Sequence, residues 1–149
     1  MASEPREAFG DLATTAFVES SILFRSLDDG ARLDLLQVGQ IQDFSADELI
    51  SAEGDDRFFI IRDGSAAVLC ESPSGPLELY RIERGALFGV GRALGRGRVA
   101  WLQALSDVSV VVFPAPVIGA LSERFPKVKK LLEAVQSARD KEAASRLAS

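Results

Sequence analysis

Apolar positions follow two regimes along the chain, and the change between them lies near residue 40. Before it, Phe9, Leu12, Ala13, Ala16 and Phe17 recur at three- and four-residue spacing, which predicts a short amphipathic helix. Residues 1–8 carry no such pattern and read as a loose lead-in. After Ser26-Leu27-Asp28 the helical period returns in Leu33, Leu35, Leu36 and Val38. Asp28 or Asp29 supplies a capping carboxylate for that helix, and Gly39 supplies a stop.

From Ile41 onward the apolar runs shorten. Segments 41–44, 48–52, 57–62, 66–71, 77–83, 99–105 and 108–113 each read as a strand of four to seven residues. Turn residues separate them at Glu53-Gly54-Asp55, Asp63-Gly64, Ser72 to Pro76, Arg84-Gly85 and Ser106-Asp107. Many short strands at regular intervals predict an antiparallel sandwich or barrel, because doubling or closing a sheet hides its edges. Helical spacing resumes near Pro116 with Val117, Ile118 and Leu121 and breaks at Phe125-Pro126. A longer helix follows from Lys127, with Val128, Leu131, Leu132, Val135 and Ala138 on one face. The alanine-rich, charged stretch from Ala138 to Ser149 reads as a fraying helix end. No internal repeat or interdomain linker interrupts this order.

Composition narrows the chemistry. A chain of 149 residues with 47% hydrophobic and 26% charged residues is long enough to bury one domain core. No run reaches membrane-spanning length, and MASEPREAF lacks the apolar segment of a secretory signal, so a cytoplasmic protein is expected. Cys70 is the single cysteine, which excludes an internal disulfide; its alternating surroundings predict a thiol packed in or beside the core. Histidine is absent, which removes the commonest general base and metal ligand and excludes Ser-His-Asp, Cys-His and His-ligated metal sites. No catalytic constellation and no metal site are expected.

Net charge is −5, which disfavours general nucleic-acid binding. Between positions 81 and 98, however, Arg81, Arg84, Arg92, Arg96 and Arg98 face only Glu83, a local excess of four positive charges. The stretch from Gly85 to Ala104 has the chemistry of a small anion pocket. Its glycines let backbone N–H groups approach a ligand, and Arg98 offers a planar fork of donors to a phosphate. Alternatives stand beside each assignment. Arg98 could equally be a strand-end arginine paired with an acid, Arg92 and Arg96 could be solvated loop residues, and Trp101 suits a core. No dinucleotide fingerprint or P-loop is present, since Gly95 comes too late and no G-K-[ST] occurs.

The residues from about Phe17 to Arg139 resemble the cyclic nucleotide-binding domain family. SILFRSL followed by a helix resembles its opening segment, and Glu53-Gly54-Asp55 its first turn. Phe59-Ile60-Ile61-Arg62-Asp63-Gly64 resembles its y-I-I-x-x-G strand and turn, and Leu87-Phe88-Gly89 the start of its phosphate-binding cassette. Arg98 to Ala104, RVAWLQA, is similar to the R-S-A-W-V-R-A run of the family's bacterial catabolite activators, and Phe125-Pro126 to the break before the final helix. The resemblance implies a mainly β fold: an eight-stranded antiparallel jelly-roll barrel with N-terminal helices and a C-terminal helical lid. It divides the chain into a tail and short helix at 1–16 and the domain proper at 17–149.

The same resemblance implies a ligand, cyclic AMP or cyclic GMP, contacted by Phe88, Gly89, Val90, Gly91, Arg98 and Val99, with Arg92 and Arg96 as accessory anion contacts. No cofactor is implied. Two departures bear on affinity. Val90 stands where the family has a glutamate that accepts from the ribose 2′-OH, and Val99 where a serine or other small residue is frequent. The loop between Gly89 and Arg98 is also a residue or two short. Each missing hydrogen bond removes about 0.5–1.5 kcal/mol. Two expectations follow. One is a non-catalytic regulatory module, without a DNA-binding part or membrane segment, that signals through its C-terminal helix to another protein or a second copy as a dimer. The other is a degenerate, nucleotide-free domain serving protein–protein interaction or assembly.

Overall fold

The computed structural model describes residues 4–95 and 100–148. The candidate residues Arg96, Arg98 and Val99 lie outside the described residues. Helices α1 (Leu12–Glu19), α2 (Ile22–Arg25) and α3 (Asp29–Val38) precede most of the sheet. Asp28 caps α3, its Oδ1 accepting from the Ala31 N–H at 2.8 Å, and Ser21 caps α2 in the same way.

The sheet strands are β1 (Arg6–Glu7), β2 (Gln40–Phe44), β3 (Leu49–Ser51), β4 (Arg57–Asp63), β5 (Ala66–Ser72), β6 (Gly75–Ile82), β7 (Leu87–Phe88), β8 (Trp101–Ala104) and β9 (Val108–Pro114). Among the described residues they form two antiparallel sheets, β1-β2-β9-β4-β7 and β3-β8-β5-β6. Apart from β1, each sheet holds four strands, the eight of a jelly roll. The two sheets lie face to face across a shared core. β1 sits at the edge of the first sheet, with Arg6 opposite Ile41, so the end of the lead-in is tied down. Ala8 beyond it is fully buried.

Strand β4 reads Phe58-Phe59-Ile60-Ile61 without alternation because both of its faces are covered. Phe59 and Ile61 enter the core between the sheets, where they meet Val68, Leu102, Val110 and the buried Cys70. Phe58 and Ile60 face the other way, into a second core built with the helices. Strand β9 divides its residues likewise, Val110 and Val112 inward and Val111 and Phe113 toward the helices.

Strand β9 runs into α5 (Ala115–Arg124), and Phe125 breaks the chain before α6 (Pro126–Ala148). Pro126 opens α6 at little cost, since the first turn of a helix has no partner for its N–H groups. Val128 and Leu132 root α6 in the helical core, both fully buried. Its far half does not fray. Ala143 is 2% exposed and belongs to the core between the sheets. The Arg146 Nε donates to the Glu78 carbonyl at 2.9 Å. The buried position is Ala143, whereas the sequence pattern favoured Ala138, which is exposed. A methyl group lets the helix backbone approach β6 closely enough to seat.

Candidate functional site

The segment that opens the site is held by β4. Gly85 N–H donates to the Ile61 carbonyl at 2.8 Å and Ile61 N–H to the Ala86 carbonyl at 3.0 Å. In β7, Leu87 and Phe88 then pair with Ile60 and Phe59. Gly89 turns the chain with φ at 96°. A Cβ there would lie 2.7 Å from the Arg57 carbonyl oxygen and 3.2 Å from the Phe58 Cα, so only glycine fits. The short helix α4 (Val90–Ala93) follows, with Ala93 N–H returning to the Gly89 carbonyl at 3.1 Å.

A cleft of about 80 Å³ lies between this segment and α6. Phe88, Gly89, Val90, Gly91 and Arg92 form one wall, Val68, Leu79 and Tyr80 the floor, and Gln136, Arg139, Asp140 and Ala143 of α6 the roof. Five candidate residues from the sequence are thus brought together. Val90 is 4% exposed and is shared with the helical core. A valine there accepts no hydrogen bond from a ligand.

Arg92 is committed within the protein. Its Nη1 donates to Ser51 Oγ at 2.7 Å and to the Arg57 carbonyl at 3.1 Å, and its Nη2 to the Ala52 carbonyl at 3.0 Å. The guanidinium lies 4.9 Å from the centre of the Phe88 ring. Burial lowers its pKa, the Asp55 carboxylate opposes that shift, and the Arg57 charge adds to it. The chain of contacts continues. Ser51 Oγ donates to Asp55 at 2.8 Å, and Asp55 receives Arg57 Nη2 at 2.7 Å. Burial by itself would raise the Asp55 pKa, but hydrogen bonds from Arg57 and Ser51 and the charges of Arg57 and Arg92 bring it below the ordinary 3.8. These contacts pin α4 to the β3–β4 turn. The sequence offers Arg92 as an accessory anion contact or a solvated loop residue and does not single out Ser51, Asp55 and Arg57, whose link to Arg92 spans some forty residues.

The roof residues Gln136, Arg139 and Asp140 were also overlooked. The Arg139 guanidinium sits 4.7 Å from the centre of the Tyr80 ring, and Gln136 Nε2 donates to Asp140 Oδ1 at 2.8 Å. Behind the cassette, Gly119 of α5 lies against α4, where a Cβ would be 2.6 Å from the Ala93 carbonyl oxygen. The cassette helix therefore touches the segment leading to the roof. Among the described residues no group of three His, Cys, Asp or Glu could hold a metal ion, and no helix is long and apolar enough to cross a membrane.

A two-sheet jelly roll with a glycine-turned cassette beneath a C-terminal helix is the fold found in regulatory domains of the catabolite-activator type. The cyclic nucleotide-binding domain model matches residues 41–125, more than half of the sequence, and the chain belongs to that family. Solved structures agree in fold. The catabolite activator protein of Thermus thermophilus is 25% identical with a TM-score of 0.66, over 84% of this chain and 61% of that one. The sensor domain of the transcriptional regulator DNR from Pseudomonas aeruginosa is 16% identical with a TM-score of 0.73, over 86% and 89%. A regulatory subunit of a cAMP-independent protein kinase A from Trypanosoma brucei, a mutant bound to cAMP in its A site, is 19% identical with a TM-score of 0.61, over 80% and 49%. The chain spans less than two thirds of the first solved structures it matches, between 45% and 63% of their length. No curated protein matches it.

Proposed function

We propose that this chain is a non-catalytic regulatory module that senses cyclic AMP, cyclic GMP or a related small anion and signals through α6. The observation that carries the reading is the cleft itself, bounded on one side by the glycine-turned cassette and on the other by α6. A phosphate on the Gly89–Gly91 backbone and the Arg98 fork leaves the rest of the ligand facing Tyr80 and the helix. Any change at the roof is then a change in α6, available to another protein or a second copy in the cytoplasm. The contact of Gly119 with Ala93 gives the cassette a second, mechanical route to the same helix.

A second reading, a degenerate domain that binds no nucleotide and serves assembly, is favoured by Val90, which is packed into the core where the family's glutamate would meet a ribose. Calorimetric titration of the purified chain with cyclic AMP, cyclic GMP and a cyclic dinucleotide, repeated with Arg98→Ala, separates the two. The sensor reading expects heat from at least one ligand and its loss in the variant. Silence from all three at millimolar concentration favours assembly, and a signal that survives Arg98→Ala moves the pocket elsewhere.

A further inference from the structure

An antiparallel sheet with one solvated face alternates apolar residues inward and polar residues outward. The second sheet, β3-β8-β5-β6, departs from that rule. Its inward residues Ile50, Leu102, Val68 and Leu79 fill the core between the sheets. Among the described residues, the helical core takes none from these four strands, so helices do not bury the sheet's other face. Yet Leu49 of β3, Trp101 of β8 and Leu69 of β5 stand at outward positions, and none of the three belongs to either core. Leu49 is 53% exposed, and Trp101 and Leu69 are half-buried. Strand register makes them one patch. Trp101 lies directly opposite Leu69, and Leu49 lies opposite Gln103, the next outward residue of β8. Ala67, opposite Gln103 on β5, is 2% exposed yet also outside both cores, so its outward neighbours cover it.

We propose that this face is an interface between two copies of the chain, separate from α6 and self-complementary about a two-fold axis. The register gives two outward rows. One is Gln103, Ala67 and Arg81; the other is Trp101, Leu69 and Glu78. A two-fold axis between the rows, lying across the strands, sets each row on the other row of the second copy. Leu69 then seats over the small Ala67, Trp101 over Gln103, and Arg81 over Glu78. Within one chain Arg81 Nε already lies 3.1 Å from Glu78 Oε2, at a solvent-open edge where the arginine side chain is 64% exposed. Across the axis, two such pairs form a square of alternating charge. Complementary charge fixes the register of an interface and disfavours wrong partners.

The face is small. Strands stand about 4.8 Å apart, so four of them span roughly 15–20 Å. That falls short of the roughly 800 Å² per partner of a standard interface, so the association is weak, at micromolar concentration or above. Tryptophan is the residue best suited to carry it, since a few central aromatic anchors supply most of the energy of an interface. The interface does not depend on the nucleotide reading.

The test uses the full chain. Trp101 is its single tryptophan, so tryptophan fluorescence reports on this face alone. Sedimentation is measured from about 5 µM to 1 mM, with acrylamide quenching of Trp101 at each concentration. A dimer is expected to form with rising concentration, and quenching to fall as it forms. Leu69→Lys is expected to weaken association at least about tenfold, as loss of a central apolar contact does. Arg81→Glu leaves an all-acid corner and Glu78→Arg an all-base one, so each variant alone is expected to stay monomeric. Mixed one to one, the two are expected to associate. Only contact between copies restores association there, because neither chain regains its internal pair. The mixture also decides the matter if Leu69→Lys fails to fold. A monomer throughout the range, a dimer in which Trp101 is quenched as in the monomer, a dimer that survives Leu69→Lys and both charge variants, or a mixture that stays monomeric overturns the proposal.

Discussion

Removing the Arg92 side chain should destabilise the domain far more than removing a loop arginine does. Two of its three hydrogen bonds, to Ser51 Oγ and to the Arg57 carbonyl, are partly buried, and the third, to the Ala52 carbonyl, is exposed. Hydrogen bonds to a charged group contribute about 1.5–3 kcal/mol each. Taking the lower figure for the two shielded bonds, neglecting the third, and allowing that truncation relieves the cost of burying the guanidinium, Arg92→Ala should cost about 2–3 kcal/mol. For a chain of this size that lowers Tm by roughly 4–12 °C. Urea unfolding at neutral pH is the assay, read as a fall in midpoint at constant slope. Ser51→Ala and the double variant complete a cycle. The shared hydrogen bond predicts that the two losses together fall short of their sum by at least about 0.5 kcal/mol. A loss below about 0.5 kcal/mol for Arg92→Ala, the range of ordinary surface substitutions, would show that the anchor is a solvated arginine and that α4 is held by other contacts.

Gly89→Ala should be worse, costing about 2–5 kcal/mol, because a left-handed backbone and two close atoms of β4 both oppose a Cβ; a Tm within two degrees of wild type would contradict that geometry. Gly119→Ala should part α5 from α4 and cost about 1–3 kcal/mol, with the amides of Val90 to Ala93 shifting in the NMR spectrum; unmoved amides would show that the two helices are not in mechanical contact. Acid should weaken the Ser51–Asp55–Arg57 cluster in a defined window. Because the folded Asp55 pKa lies below its ordinary 3.8, its contribution is complete above 3.8 and is lost as pH falls through the folded value. The stability gap between wild type and Asp55→Asn should therefore hold steady from pH 7 to 5 and narrow below 3.8; a gap that widens in acid would reverse the assigned sign.

Much of this fold is legible in the sequence because its strands are short and bounded by turn residues. The Asp28 cap, the Asp63-Gly64 turn and the Phe125-Pro126 break are local chemistry, and each appears where the residues place it, while the turn read over Ser72 to Pro76 tightens to Pro73-Ser74 between paired Ser72 and Gly75. Two-residue strands are different. Arg6–Glu7 and Leu87–Phe88 are too short for a period, and only pairing with β2 and β4 makes them strands. The four-residue helices α2 and α4 likewise carry too few turns to show one. At the site, the glycine turn and the Phe88–Arg92 wall were visible as composition. The roof was not. Arg139 and Ala143 belong to a stretch that is charged and alanine-rich, and their partners Tyr80 and the inter-sheet core lie on strands some sixty residues earlier. Arg92 shows the same limit from the other side. A glycine-flanked arginine reads as a ligand contact or a solvated residue until Ser51 and the Arg57 carbonyl are brought beside it.

The central claim is that the cleft between the cassette and α6 takes a nucleotide. An amide NMR titration of the full chain with cyclic AMP, and separately with cyclic GMP, tests it most directly. The account predicts saturable shifts with at least one of them, concentrated at residues 88–92 and 136–143. Spectra unmoved at millimolar ligand, or shifts gathered on a different face of the domain, would contradict it.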